Sequence, residues 1–232
     1  MANHLDLEEQ EQLDQLKHFW RQYGNLITWV LIVVLGSFAA WNGYQYWQRS
    51  QAAQAAAMFD EVERSVASND VAKIERALSD MNEKFGSSAY AQQAGLLAAK
   101  TFFEKGNSEA AKKALANVVE KSSDEGYQAI AKLRLVGILI EGKNFDEALK
   151  LLSNTFPKDF LPLVADRRGD IFALQSKPVE AKLEYVKAYK AFDERAGYRR
   201  LVEVKLNALG GDPATTEIGS NVVKEAAAET KK

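Results

Sequence analysis

Cysteine is absent from these 232 residues, and the two histidines, His4 and His18, both precede the first long apolar run. The lack of cysteine excludes a disulfide framework and a thiol nucleophile, though it leaves the compartment open. Everything after His18 also lacks a histidine general base and the usual zinc ligand sets. No phosphate loop is present, because Gly210-Gly211 is not followed by Lys-Ser or Lys-Thr. Only four prolines interrupt the chain, so little in it stops a helix. The net charge is −2, and residues 48–232 hold 28 bases against 27 acids. That balance offers nucleic acid no basic surface.

Carboxylates are the remaining source of acid–base chemistry. Asp166 and Asp170 share a helix face at i,i+4 and form the candidate pair. Such pairs more often face water or meet a basic residue. The expectation is therefore a protein with no catalytic, cofactor-binding or metal-binding residue and no small-molecule substrate.

Charge is also missing locally. The stretch LITWVLIVVLGSFAAWNGYQYW, Leu26 to Trp47, has no charged residue in a chain that is 27% charged. As a helix it would be about 33 Å long, against about 30 Å for bilayer hydrocarbon. Trp20, Tyr23 and Trp29 mark one edge; Trp41, Tyr44, Tyr46 and Trp47 mark the other, where amphipathic rings favour the headgroup zone. A buried core helix would not place aromatic residues at both ends with polar sequence beyond them. A cleaved signal peptide is the stronger rival, since Ser37-Phe38-Ala39 is a small-x-small site. The residues before the span carry Asp6, Glu8, Glu9, Glu11 and Asp14 against Lys17 and Arg21, unlike a short basic leader. The reading is an uncleaved anchor in contact with membrane lipid.

Within the span, Gly36 and Ala40, and Ala39 and Gly43, are small residues four apart, which permits close approach of another transmembrane helix. The flanking bases, Lys17 and Arg21 before and Arg49 and Arg64 after, tie, so charge leaves orientation undecided. Before the span, Leu13, Leu16, Trp20 and Tyr23 recur at helical spacing, with acids early and bases late as the helix dipole prefers. This suits an interfacial or partner-binding helix, or a soluble extension.

Beyond the span, nothing reads as a strand. Three segments align: GLLAAKTFFEKGNSEAAKKAL (Gly95–Leu115), KLRLVGILIEGKNFDEALKLL (Lys132–Leu152) and ADRRGDIFALQSKPVEAKLEY (Ala165–Tyr185). Each is an apolar helix, a polar break and a second helix with an alanine near its start. The equivalent alanines, Ala111, Ala148 and Ala181, stand 37 and 33 residues apart. An earlier pair, Gln51–Ala67 and Val71–Phe85, breaks at SND. Glu194–Leu209 supplies a lone last helix whose Arg195, Arg199 and Arg200 are available to water, as a capping helix requires. After GGDP the chain has little apolar content and no aromatic residue, which reads as a disordered tail.

This spacing, with NFDEAL and the small Gly169 inside a first helix, resembles the tetratricopeptide repeat, in which small residues let two helices cross closely. The family's large aromatic positions are Gly95, Lys132 and Ala165 here, so the repeats are divergent; a plain antiparallel bundle is the alternative. The fold expected is all-α: a transmembrane helix, then an α-solenoid of about three to four helix pairs and a C-terminal capping helix. The expected organisation is a tail at 1–24, a span at 25–47, the repeat domain at 48–209 and a disordered tail at 210–232.

Carrying the family's groove positions over implies a partner groove of Leu96, Lys100, Phe103, Ile130, Leu133, Ile140, Leu163, Asp166 and Asp170, with Gln93, Gly137 and Ala173 beside them. The groove is largely apolar. Apart from Lys100 it lacks the Lys, Asn and Arg set that family members use to clamp a C-terminal carboxylate.

The polar tail LDLEEQEQLDQLKHFWRQYGN, the span and the divergent repeats together resemble the bacterial YfgM family. The resemblance implies an inner-membrane protein with a cytoplasmic N-terminus and a periplasmic repeat domain. It implies an ancillary subunit of the Sec translocon, working with a membrane-anchored periplasmic chaperone of the prolyl-isomerase-like type. The function expected is a non-enzymatic, membrane-tethered scaffold or co-chaperone that holds chaperone activity near emerging secreted or envelope proteins. Two other readings stand beside it: a regulatory adaptor whose cytoplasmic tail binds a signalling protein, and an assembly factor for envelope enzymes.

Overall fold

The computed structural model describes residues 7–211. The tail expected to be disordered lies, from residue 212 onward, outside the described residues. Every regular element among the described residues is helical: α1 (Leu7–Ala67), α2 (Val71–Phe85), α3 (Ala89–Glu104), α4 (Ser108–Lys121), α5 (Glu125–Glu141), α6 (Phe145–Leu152), a 3-10 turn (Lys158–Phe160), α7 (Leu161–Leu174), α8 (Pro178–Ala191) and α9 (Gly197–Ala208). The chain divides into two compact units, residues 1–54 and 55–232. Helix α1 passes without a break through both boundaries expected near residues 24 and 47.

The unit 1–54 contains the charge-free stretch. Among the described residues α1 is the one helix long and apolar enough to cross a membrane, with mean hydropathy 1.8 over its most apolar window and only 6% of that window buried. Its large side chains, Val33, Leu35, Phe38 and Trp41 among them, are exposed. A water-soluble core helix would bury these groups; lipid accepts them. Two polar side chains within the span bond to their own helix, Thr28 Oγ1 donating to Gly24 O at 2.7 Å and Asn42 Nδ2 to Phe38 O at 3.0 Å. Self-satisfaction removes most of the penalty for taking them into hydrocarbon.

In the unit 55–232 local sequence sets the helix starts. Asp70, Ser88, Asn107 and Asp124 each accept a hydrogen bond from the backbone N–H three residues on, at 3.0–3.2 Å. These caps satisfy donors that a helix start leaves free. The break at SND is one of them, with Asn69 in the left-handed region and Asp70 as the cap.

The turns inside the three aligned repeats share one geometry. Gly106, Lys143 and Ser176 have φ of 77°, 58° and 59°. The next N–H in each case, of Asn107, Asn144 and Lys177, donates to the carbonyl of Phe102, Leu139 and Phe172 at 2.8, 2.8 and 2.9 Å. This is the Schellman closure of a helix end. The turn residues have the same spacing as Ala111, Ala148 and Ala181, and all three alanines are fully buried. A methyl group there lets the second helix of each pair lie close to the first.

Apolar packing runs along the chain as three successive clusters. Val62, Ile74, Met81, Phe102, Leu115 and Val118 lie in the first; Val136, Leu139, Leu152 and Ile171 in the second; Ala181, Tyr185, Val202 and Leu206 in the third. Each cluster joins neighbouring helix pairs, the packing expected of a solenoid. Polar ties cross the same joints. Gln93 Nε2 donates to Tyr127 Oη at 2.9 Å, the Arg134 guanidinium to Leu96 O at 2.9 Å, and the Arg168 guanidinium to Leu152 O at 2.8 Å.

The last helix is shorter than expected, Gly197–Ala208 rather than Glu194–Leu209. The Asp193 carboxylate accepts the Arg195 N–H at 2.8 Å and holds the preceding residues in a turn.

Candidate functional site

The residues expected to form a partner groove occupy three different environments. On α3, Leu96 is only 8% exposed and belongs to the first core cluster, whereas Phe103 is half-buried against that cluster. Lys100 stands in solvent, 3.8 Å from Glu104. On α5, Ile130 packs against the first cluster, Leu133 and Ile140 against the second, each half-buried. Leu163 on α7 is likewise half-buried. Leu96 thus serves as core rather than surface, packed in the cluster to which α2, α3, α4 and α5 all contribute. The half-buried Phe103, Ile130, Leu133, Ile140 and Leu163 keep part of their apolar surface free.

Asp166 and Asp170 depart furthest from the expectation. Asp166 is 0% exposed and faces α9, not an open groove. Lys205 Nζ on α9 bonds both of its carboxylate oxygens, at 2.8 and 2.9 Å, and reaches Asp170 Oδ1 at 2.7 Å. Two phenols complete the arrangement, Tyr198 Oη donating to Asp166 Oδ2 and Tyr185 Oη to Asp170 Oδ1, each at 2.8 Å. The Arg167 guanidinium adds a bond to Asp170 Oδ2 at 3.1 Å. Burial, reinforced by the hydrogen bond to Asp166, pushes the Tyr198 phenol up to about 12. Burial and the Asp170 charge push Tyr185 up further. Both hydroxyls therefore remain donors throughout the physiological range.

This arrangement pairs charge with charge across the α7–α9 joint. Each carboxylate accepts three hydrogen bonds from its own chain, and Asp166 is closed to solvent. The pair follows the structural alternative, contact with a basic residue. What sequence reading missed is Lys205. Its signal was present: Val202 and Leu206, both fully buried, flank it and put it on the inner side of α9. Arg199 differs from the expectation too, since it donates to Tyr189 O at 3.2 Å and stacks 4.1 Å from that ring. Arg195 and Arg200 are exposed as expected.

Helices α2 and α4 bound an open cleft of about 870 Å³, floored by Leu78 and Phe102 and rimmed by Arg76, Ser79, Asn82, Lys113 and Asn117. None of the expected groove residues lines it. In the span, Gly36, Ala39, Ala40 and Gly43 are exposed, and a methyl group added at Gly36 or Gly43 would meet nothing within 4 Å.

With paired helices, buried alanines at the repeat spacing and one long exposed apolar helix in place, comparison with known proteins is direct. A family model described as a tetratricopeptide repeat-like domain matches residues 17–211. Among curated proteins, the chain is 33% identical over 210 residues to an "Ancillary SecYEG translocon subunit" of Neisseria gonorrhoeae, covering 90% of this chain and 100% of that protein. The chain belongs to the YfgM family of tetratricopeptide repeat-like proteins. Proteins of the same description from Haemophilus influenzae and Escherichia coli are 29% and 24% identical, over 88% and 87% of this chain and 98% and 96% of theirs. No solved structure matches. The match begins inside α1 and ends beyond α9, so it includes the apolar helix as well as the repeats. These relatives are named as subunits of a translocon, none after a reaction.

Proposed function

We propose that this protein is a non-enzymatic, membrane-tethered scaffold associated with the Sec translocon. The observation that carries the reading is the near full-length match to ancillary SecYEG translocon subunits, on a chain that joins an exposed apolar helix to a tetratricopeptide repeat-like domain. The protein sits in the bacterial inner membrane through one span, with a cytoplasmic N-terminus and a periplasmic repeat domain. There the repeats hold a membrane-anchored periplasmic chaperone of the prolyl-isomerase-like type near emerging chains. Anchoring both proteins in one membrane raises their effective concentration, so single contacts need not be tight. The small residues Gly36, Ala39, Ala40 and Gly43 form the face against which a translocon helix packs. Leucine at both Gly36 and Ala40 weakens co-purification of SecYEG while insertion stays normal; unchanged co-purification would show that the span makes no such contact.

The partner groove is the set of half-buried side chains Phe103, Ile130, Leu133, Ile140 and Leu163, with Lys100 at its edge. Covering one such side chain fully contributes at most about 1.5–3 kcal/mol, and several together suffice for a tethered partner. The test compares Phe103→Ser with Ile140→Ser, singly and together, in the full chain. Partner crosslinking in intact membranes falls while helical content is kept. Phe102→Ser serves as the control, because Phe102 is 2% exposed and its loss unfolds the domain. A folded double variant that crosslinks normally would rule the groove out.

A further inference from the structure

We propose that the carboxylate pair of α7, with the apolar face of α8, is a receptor for an amphipathic helix that carries a lysine, and that α9 is its resident, displaceable occupant. The proposal deepens the partner-binding reading above but uses a different site, so either can fail alone.

The seat of α9 defines what fits. Val202 and Leu206 enter the third cluster fully buried, and Lys205 between them reaches both carboxylates. Tyr198, seven residues before the lysine, spends its hydroxyl on Asp166. The pattern recognised is a helix with a lysine flanked by apolar residues and a tyrosine two turns earlier. Selectivity follows from burial. Asp166 is shut off from water, so an apolar helix lacking the cation would leave a carboxylate desolvated and unpaired. An acidic helix would be repelled.

Helix α9 is the last helix among the described residues, and like α6 it has little local sequence to hold it. It begins at Gly197, its N-cap position Ala196 supplies no side-chain hydrogen bond, and only Val202 and Leu206 among its side chains are buried. On its outer side Leu201 and Val204 are 46% and 59% exposed. Few buried contacts mark the segments that open first. As part of the chain, α9 competes at high effective concentration, so only a partner that is itself tethered nearby displaces it.

The test uses the full chain in detergent micelles and a labelled synthetic peptide of residues 194–211. In the unmodified chain the α9 amides exchange with solvent at least about ten-fold faster than those of α7 and α8. Equal protection of the three helices would overturn the proposal. The peptide binds an L206D chain, whose own α9 is loosened, about ten-fold tighter than the unmodified chain, and a K205M peptide loses that gain. Equal binding of both peptides, or of both chains, would overturn it. If L206D also lowers protection in α2–α6, the variant has unfolded, and displacement in the unmodified chain decides. There, excess peptide must raise deuterium uptake in α9, and no rise would overturn the proposal.

Discussion

Lys205 Nζ lies 2.8 Å from Asp166 Oδ1 and 2.7 Å from Asp170 Oδ1, so one cation on α9 serves two carboxylates on α7. Removing the cation leaves Asp166 buried without its ion partner. Lys205→Met therefore destabilises the repeat domain by about 3–5 kcal/mol, read as a shift of the denaturant midpoint. Replacing Asp166 by Leu and Tyr198 by Phe in the same chain recovers most of the loss, because no charge or hydroxyl is then left unpaired. A Lys205→Met chain as stable as the original would mean that water reaches Asp166.

Two backbone positions respond in opposite directions. A methyl group on Gly169 would stand 2.5 Å from ring carbons of Tyr185, so Gly169→Ala pushes that ring off Asp170 and costs about 1–3 kcal/mol. Lys143 holds a left-handed φ of 58° where the equivalent turn has Gly106. Lys143→Gly relieves that conformation and, after the entropy glycine loses on folding, adds up to about 1 kcal/mol. Thermal unfolding of the two variants reads both signs.

Alkaline pH acts on the same joint. A free phenol loses its proton near 10, whereas Tyr198 in the folded chain holds it to about 12. The neutral hydroxyl's contribution is complete below pH 10 and is lost as pH rises from 10 through 12. The melting temperature of the repeat domain falls across that window, and Tyr198→Phe flattens the fall. An identical slope in the variant would place the alkaline sensitivity elsewhere.

Membrane orientation is testable because the chain has no cysteine of its own. A cysteine at Ser108 reacts with an impermeant thiol reagent in cells whose outer membrane has been made permeable, and one at Ala2 does not. The reverse pattern would place the repeats in the cytoplasm. A mature chain beginning at Ala40 would instead establish cleavage.

The amino-acid sequence by itself determined whatever depends on nearest neighbours. The charge-free run from Leu26 to Trp47 marked the apolar helix, the break at SND marked the start of α2, and Ala111, Ala148 and Ala181 marked the repeat. Each rests on groups within one or two turns of each other, where spacing alone settles which face a side chain takes. Tertiary structure alone decided the fate of the carried-over groove. Leu96 became core because side chains from α2, α4 and α5, up to Ile138, gather around it in the first cluster. Asp166 became the anchor of α9 because Lys205 arrives 39 positions later. Whether a carboxylate on a helix face meets water, a partner or a lysine depends on how successive pairs stack. That stacking sums contacts from every joint between them, which periodicity within one repeat does not contain.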